Sequence, residues 1–189
     1  MEFNGGRFYI KQNALISQLL SALPEDRRYL FGELAEFLIK LEYLPQKQAV
    51  KTLTLSFKRG RQVIAKVRAC NGGEFRVKFF ACANPPQKFR DALRRDIEAQ
   101  NEQYWGTVNP DRPAHLKNKC DSCGTACTGG NIGYYWKFED GREIFRCGAY
   151  PILIPDITVN DLADIKRMLI EQDKYFKTIH VEKERVWKL

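Results

Sequence analysis

The sequence has no apolar run approaching the roughly 18 residues that a bilayer-spanning helix needs, so no membrane partner is expected. Its first ten residues, Met1 to Ile10, lack the basic stretch followed by an apolar one that marks an export signal. The expected location is therefore the cytoplasm. Histidine is scarce: His115 and His180 are the only two, and neither has a motif partner nearby. No G-x-S-x-G, P-loop or dinucleotide fingerprint occurs, and Asn71-Gly72-Gly73 reads as a turn rather than a phosphate cradle. Glu33 and Glu36 sit at the spacing of an exposed helix face and assign no acid–base pair. No catalytic residue is assigned, and the balance leans away from an enzyme.

What is present is basic charge and cysteine. The chain of 189 residues carries 31 Lys and Arg against 23 Asp and Glu, a net charge of +8. Such a surface favours anionic partners. Six cysteines in a chain of this size without an export signal read as metal ligands rather than as a disulfide framework.

Cys120, Cys123, Cys127 and Cys147 form the clearest constellation. The pair Cys120-Asp-Ser-Cys123 followed by Gly124 has the form of a zinc knuckle, in which a two-residue spacer brings both sulfurs onto one ion. Gly124 permits the positive φ that turns backbone N–H groups back toward the sulfurs. Cys127 adds a third ligand, and Cys147 closes the tetrahedron from the far strand of a hairpin turning at Asp140-Gly141. Four protein ligands leave no open position, so one structural zinc is expected. His115 is a substitute fourth ligand, and an iron–sulfur cluster or unmetallated, redox-active thiols are the other readings. Cys70 and Cys82 belong to a different class, small buried fillers too far apart to form a disulfide.

The rest of the chain predicts an α+β domain, an antiparallel sheet packed by helices. Helical spacing runs from Asn13 to Ala22, then through Leu30, Phe31, Leu34, Leu38 and Leu41 until Pro45. Alternation marks strands at Thr52–Phe57, Val63–Arg68 and Phe75–Phe79, which form a meander. Three-residue loops at Lys58-Arg59-Gly60 and Asn71-Gly72-Gly73 place Leu55 opposite Val63 and Val67 opposite Val77. In that register Lys66, Arg68, Arg76 and Lys78 line one polar face, Lys66 opposing Lys78 and Arg68 opposing Arg76. Such a face is either solvated or balanced by carboxylates from a helix, or else it is a surface for an anion, a nucleic acid or an acidic protein. A helix follows Pro85-Pro86, with Lys88, Arg90, Arg94 and Arg95 on a solvated face. The strands Tyr134–Phe138 and Glu143–Cys147 flank Asp140-Gly141, and a last helix starts near Thr158, whose hydroxyl caps it together with Asp161 three residues on.

The span from about Tyr29 to Gln100 resembles the YdhG-like family of small bacterial proteins, also labelled iron-chaperone-like. The likeness rests on Phe31-Gly-Glu-Leu34-Ala-Glu-Phe37-Leu38, Tyr43, the strand Leu53 to Phe57, the strands around Val63 and Phe79, and the helix carrying Phe89 and Leu93. It implies a fold rather than an activity. The four-cysteine segment is an addition to the family pattern, an iron-chaperone role would call for exposed acidic ligands, and no functional residue carries over.

Three parts are expected: an α+β main domain at 1–112, a four-cysteine metal-binding lobe at 113–155, and a C-terminal helix at 156–189 packing back on the main domain. The leading functional expectation is a zinc-stabilised binding or regulatory module for an anionic or small-molecule ligand. The alternatives are a metal-carrier or redox protein using the cysteines, and a nucleic-acid-binding protein using the basic sheet face. The oligomeric state is not legible.

Overall fold

The computed structural model describes residues 5–104, 133–139, 141 and 143–186. Two helices open the chain, α1 (Gly5–Ser21) and α2 (Glu25–Lys40). Pro24 precedes α2, Glu25 and Asp26 occupy its first turn and Lys40 its last, an order that complements the helix dipole. Strands β1 (Leu44–Lys47), β2 (Thr54–Arg59), β3 (Gln62–Arg68) and β4 (Glu74–Val77) follow, then α3 (Gln87–Tyr104). The hairpin β5 (Gly133–Lys137) and β6 (Glu143–Cys147) precedes β7 (Ile152–Ile154). A short 3₁₀ turn (Val159–Asp161) leads into α4 (Leu162–Val186). The fold is α+β, as expected.

β1-β2-β3-β4-β7 form one antiparallel sheet, while β5 and β6 pair separately. Its buried face stacks Leu55, Val67, Phe75 and Ile154 in one row and Phe57, Ala65, Val77 and Ile152 in the next, none more than 1% exposed. α1 packs on β1 and β2, α4 on β3 and α2, and α3 runs along β7.

The register differs from the expected one at both turns. Arg59 pairs with Gln62, so β2 and β3 are joined by the two residues Gly60-Arg61, with Gly60 at φ 58°. An even connection alone would set Ser56 opposite Ala65 and Leu55 opposite Lys66, polar against apolar. A bulge between Phe57 and Lys58 inserts Ile64 as an extra residue on β3, and beyond it Phe57 faces Ala65 and Leu55 faces Val67, not Val63. Between β3 and β4 the loop runs over 69–73, and Val67 faces Phe75 rather than Val77. That slip of two residues keeps every face but changes every partner.

The 69–73 loop is held from below. Gly73 adopts φ 101°, and a Cβ there would meet the Phe31 ring at 2.4 Å, so glycine is required by space as well as by backbone. Arg27 donates to the Gly72 carbonyl at 3.2 Å and to that of Ile157 at 2.8 Å, tying the loop to the start of the last helix. There Thr158 and Asp161 form the expected capping box, and the Asp161 carboxylate also accepts from Lys88 on α3 at 2.7 Å.

α4 is pinned by a buried ion pair. Asp173, 4% exposed, lies 2.8 Å from Arg59 on β2 and accepts from the Tyr43 hydroxyl at 3.1 Å. Arg59 in turn donates to the Tyr43 hydroxyl at 3.2 Å and covers its ring, and Lys177 reaches Asp173 at 2.8 Å. Each polar group removed from water thus finds a partner, the condition under which a buried charge is tolerated.

Candidate anion groove on the open sheet face

Side chains alternate along each strand, so the residues between the buried rows share the opposite face. By register that face carries the row Ser56, Lys66, Arg76 and Leu153 and the row Thr54, Arg68 and Glu74. Lys66 is directly opposite Arg76, and Arg68 is directly opposite Glu74.

The face is walled on two sides. After β1 the chain continues as a strap, residues 48–52, whose Gln48 N–H donates to the Thr54 carbonyl and whose Gln48 amide reaches the Ser56 hydroxyl. This cover explains why two polar residues on an otherwise open face, Thr54 and Ser56, are buried. The other wall comes from Asp96 on α3 and from Tyr150-Pro151, which enter β7. Between them lies a groove of about 480 Å³ floored by Thr54, Lys66, Arg68 and Arg76. Lys51 stands on the strap side and Tyr150, 60% exposed, on the other.

Cations outweigh anions along the groove lining, Lys51, Lys66, Arg68 and Arg76 against Asp96, with Glu74 opposite Arg68 on the same face. One Glu74 oxygen, Oε2, lies 3.9 Å from Arg68 and 3.8 Å from Arg76, longer than a hydrogen bond to either. That oxygen is buried without a hydrogen-bond partner among the described residues. Lys66 has no carboxylate within ion-pairing distance among the described residues. Two like charges directly opposed on a sheet, one of them uncompensated, form a site whose electrostatics favour an incoming oxyanion.

Three of the four expected basic residues therefore share the groove, and Lys78 does not. It follows the end of β4, is 8% exposed, and places its ammonium 6.0 Å from the Phe176 ring of α4. The expected oppositions of Lys66 with Lys78 and of Arg68 with Arg76 are likewise replaced by Lys66 with Arg76 and Arg68 with Glu74. The physical reason is the 69–73 loop, two residues longer than a three-residue turn, which slides β4 along β3. Lys51, Thr52, Asp96 and Tyr150 were not foreseen as partners of this face. Only Tyr150 had a sequence signal nearby, the run Ile152-Leu-Ile154 between Pro151 and Pro155, an edge-strand pattern.

Of the second basic group, Arg90, Arg94 and Arg95 are exposed, Arg94 lying 3.8 Å from Asp91, whereas Lys88 is half-buried and taken by Asp161. The two remaining cysteines are free; Cys82 is buried and Cys70 half-buried. Burial, followed by Glu74, pushes the Cys70 thiol up, and burial, followed by Glu171, does the same to Cys82. Neither is poised as a thiolate at neutral pH.

Cys120, Cys123, Cys127 and His115 lie outside the described residues. Cys147 is the last residue of β6, its backbone paired with Gly133 across the hairpin. Among the described residues no group of three or more metal-ligating side chains forms. Nor is any described helix long and apolar enough to cross a membrane. No family model, no curated protein and no solved structure matches the chain.

Proposed function

We propose that this protein is a binding module that holds an anionic small molecule in the groove over Lys66, Arg68 and Arg76, with a zinc ion on Cys120, Cys123, Cys127 and Cys147 stabilising its second lobe. The observation that carries the reading is the Lys66–Arg76 opposition at the floor of a walled groove, with Lys66 uncompensated among the described residues. A solvated basic surface would spread such charges apart, whereas here three cations converge between two walls. The zinc part rests on cysteine spacing alone.

The test is calorimetric titration of the full chain with inorganic pyrophosphate at low and high salt, repeated on Lys66→Met and Arg76→Met. Binding that weakens with salt and falls at least tenfold in each variant supports the groove. Affinity unchanged in both variants removes the basic face from the function.

A further inference from the structure

Resting on the anion-groove reading, we infer that the groove takes a nucleotide, its phosphates on the cationic floor and its base on Tyr150. Three chemically different surfaces meet in the same 480 Å³ space, within the range of small-molecule sites. The first is the oxyanion floor of Lys66, Arg68 and Arg76. The second is an acceptor on the wall, the Asp96 carboxylate. Sugar hydroxyls and base amino groups can donate to such a carboxylate, whereas a bare polyphosphate has no donor for it.

The third surface is apolar and exposed. Tyr150 is 60% and Val50 54% exposed, and both line this groove, one on each wall. Scattered exposed apolar side chains need no explanation, but two converging on three cations mark a place for a flat apolar ring beside an anion. Phosphate, hydroxyl-bearing sugar and planar base satisfy the three surfaces in turn. A single-stranded nucleic acid fits less well, because such platforms stack successive bases on successive aromatics. Among the described residues Tyr150 is the one aromatic lining the groove, and walls flank it on both sides.

The experiment compares pyrophosphate, ADP, UDP and a twelve-nucleotide single-stranded DNA on the full chain and on Tyr150→Ala, Tyr150→Phe and Lys66→Met. A nucleoside diphosphate binding about tenfold or more tighter than pyrophosphate is expected, the gain that one base–aromatic stack supplies. Tyr150→Ala should erase that gain, Tyr150→Phe should keep it, and Lys66→Met should weaken every ligand. Equal affinity for pyrophosphate and both nucleotides overturns the nucleotide assignment while leaving the anion groove standing. Tighter binding of the oligonucleotide than of either nucleotide overturns it in favour of a polymer. No binding of any probe takes down the groove reading as well. Because Tyr150 is exposed, its variants are expected to melt with the parent, and thermal denaturation checks this.

Discussion

Lys66 on β3 stands directly opposite Arg76 on β4, and Arg68 beside them faces Glu74, whose carboxylate lies 3.9 Å from one guanidinium and 3.8 Å from the other. One carboxylate thus serves two arginines, and the lysine is left over. A sheet that tolerates this arrangement sacrifices stability on the face where a ligand is proposed to bind.

The first prediction follows from that cost. Lys66→Met should raise stability in low salt by about 0.2–1 kcal/mol, the scale of a like-charge cross-strand pair, while weakening anion binding. The gain should shrink in about 1 M salt, where screening already suppresses the repulsion. Urea denaturation at two ionic strengths measures it; a loss of stability in low salt would show that Lys66 is satisfied by its surroundings.

A second prediction concerns the pin between α4 and the sheet. Asp173→Ala leaves the buried part of Arg59 and the Tyr43 hydroxyl without their acceptor, and should cost about 3–5 kcal/mol. Tyr43→Phe keeps the ion pair and should cost only about 1–2 kcal/mol. Equal losses in the two variants, read by equilibrium unfolding, would mean that the hydroxyl rather than the ion pair anchors the helix.

Tyr43 also gives the alkaline limb of the stability profile. Burial pushes its phenol well above the ordinary value of 10.0, and Asp173 adds to this against the opposing pull of Arg59. A proton held more tightly in the folded state than in the unfolded one makes stability fall as pH rises above the ordinary value. Unfolding free energy should therefore decline from about pH 10 upward. Tyr43→Phe should flatten that decline, as measured by urea titration across the alkaline range.

Two glycines with the same sign of φ separate backbone strain from steric exclusion. Gly60→Ala meets open space at φ 58° and should cost about 1 kcal/mol. Gly73→Ala drives a Cβ to 2.4 Å from the Phe31 ring at φ 101° and should cost clearly more, because the ring must shift within a filled core. Thermal unfolding of both variants compares them; equal shifts would show that Phe31 moves freely.

The cysteine proposal is tested by elemental analysis of natively purified protein together with a visible absorption spectrum. About one zinc per chain and no visible band is expected, with the zinc lost in Cys120→Ser and Cys147→Ser. Iron with a visible band would replace structural zinc with redox chemistry.

Much of the fold was legible because its determinants are local. The 3.6-residue stripe of Leu30, Leu34 and Leu38, the alternation of Leu55 with Phe57 and of Phe75 with Val77, and the Thr158–Asp161 capping box each act within a few residues. Three groove cations were legible for the same reason, since alternation places Lys66, Arg68 and Arg76 on the polar face whatever the register. The four-cysteine spacing is likewise a property of the sequence.

What the sequence could not decide were relations between distant segments. β1 and β7 are short strands beside or containing prolines, and their pairing depends on partners far along the chain. The bulge at Ile64 arises because an even turn and two apolar faces conflict, a conflict resolved only when the strands meet. Lys78 left the polar face because it lies past the end of β4, where its N–H donates to the carbonyl of the bulged Ile64. Asp96 and Tyr150 reached the groove only because β7 adds to β4 after a long excursion of the chain. By itself the sequence determined which residues are charged and, within the regular strands, the face taken by Leu55, Phe57, Lys66, Arg68, Phe75, Arg76 and Val77. Only the tertiary structure decided which charges stand opposite one another and which walls enclose them, because register and strand order are set by long-range packing.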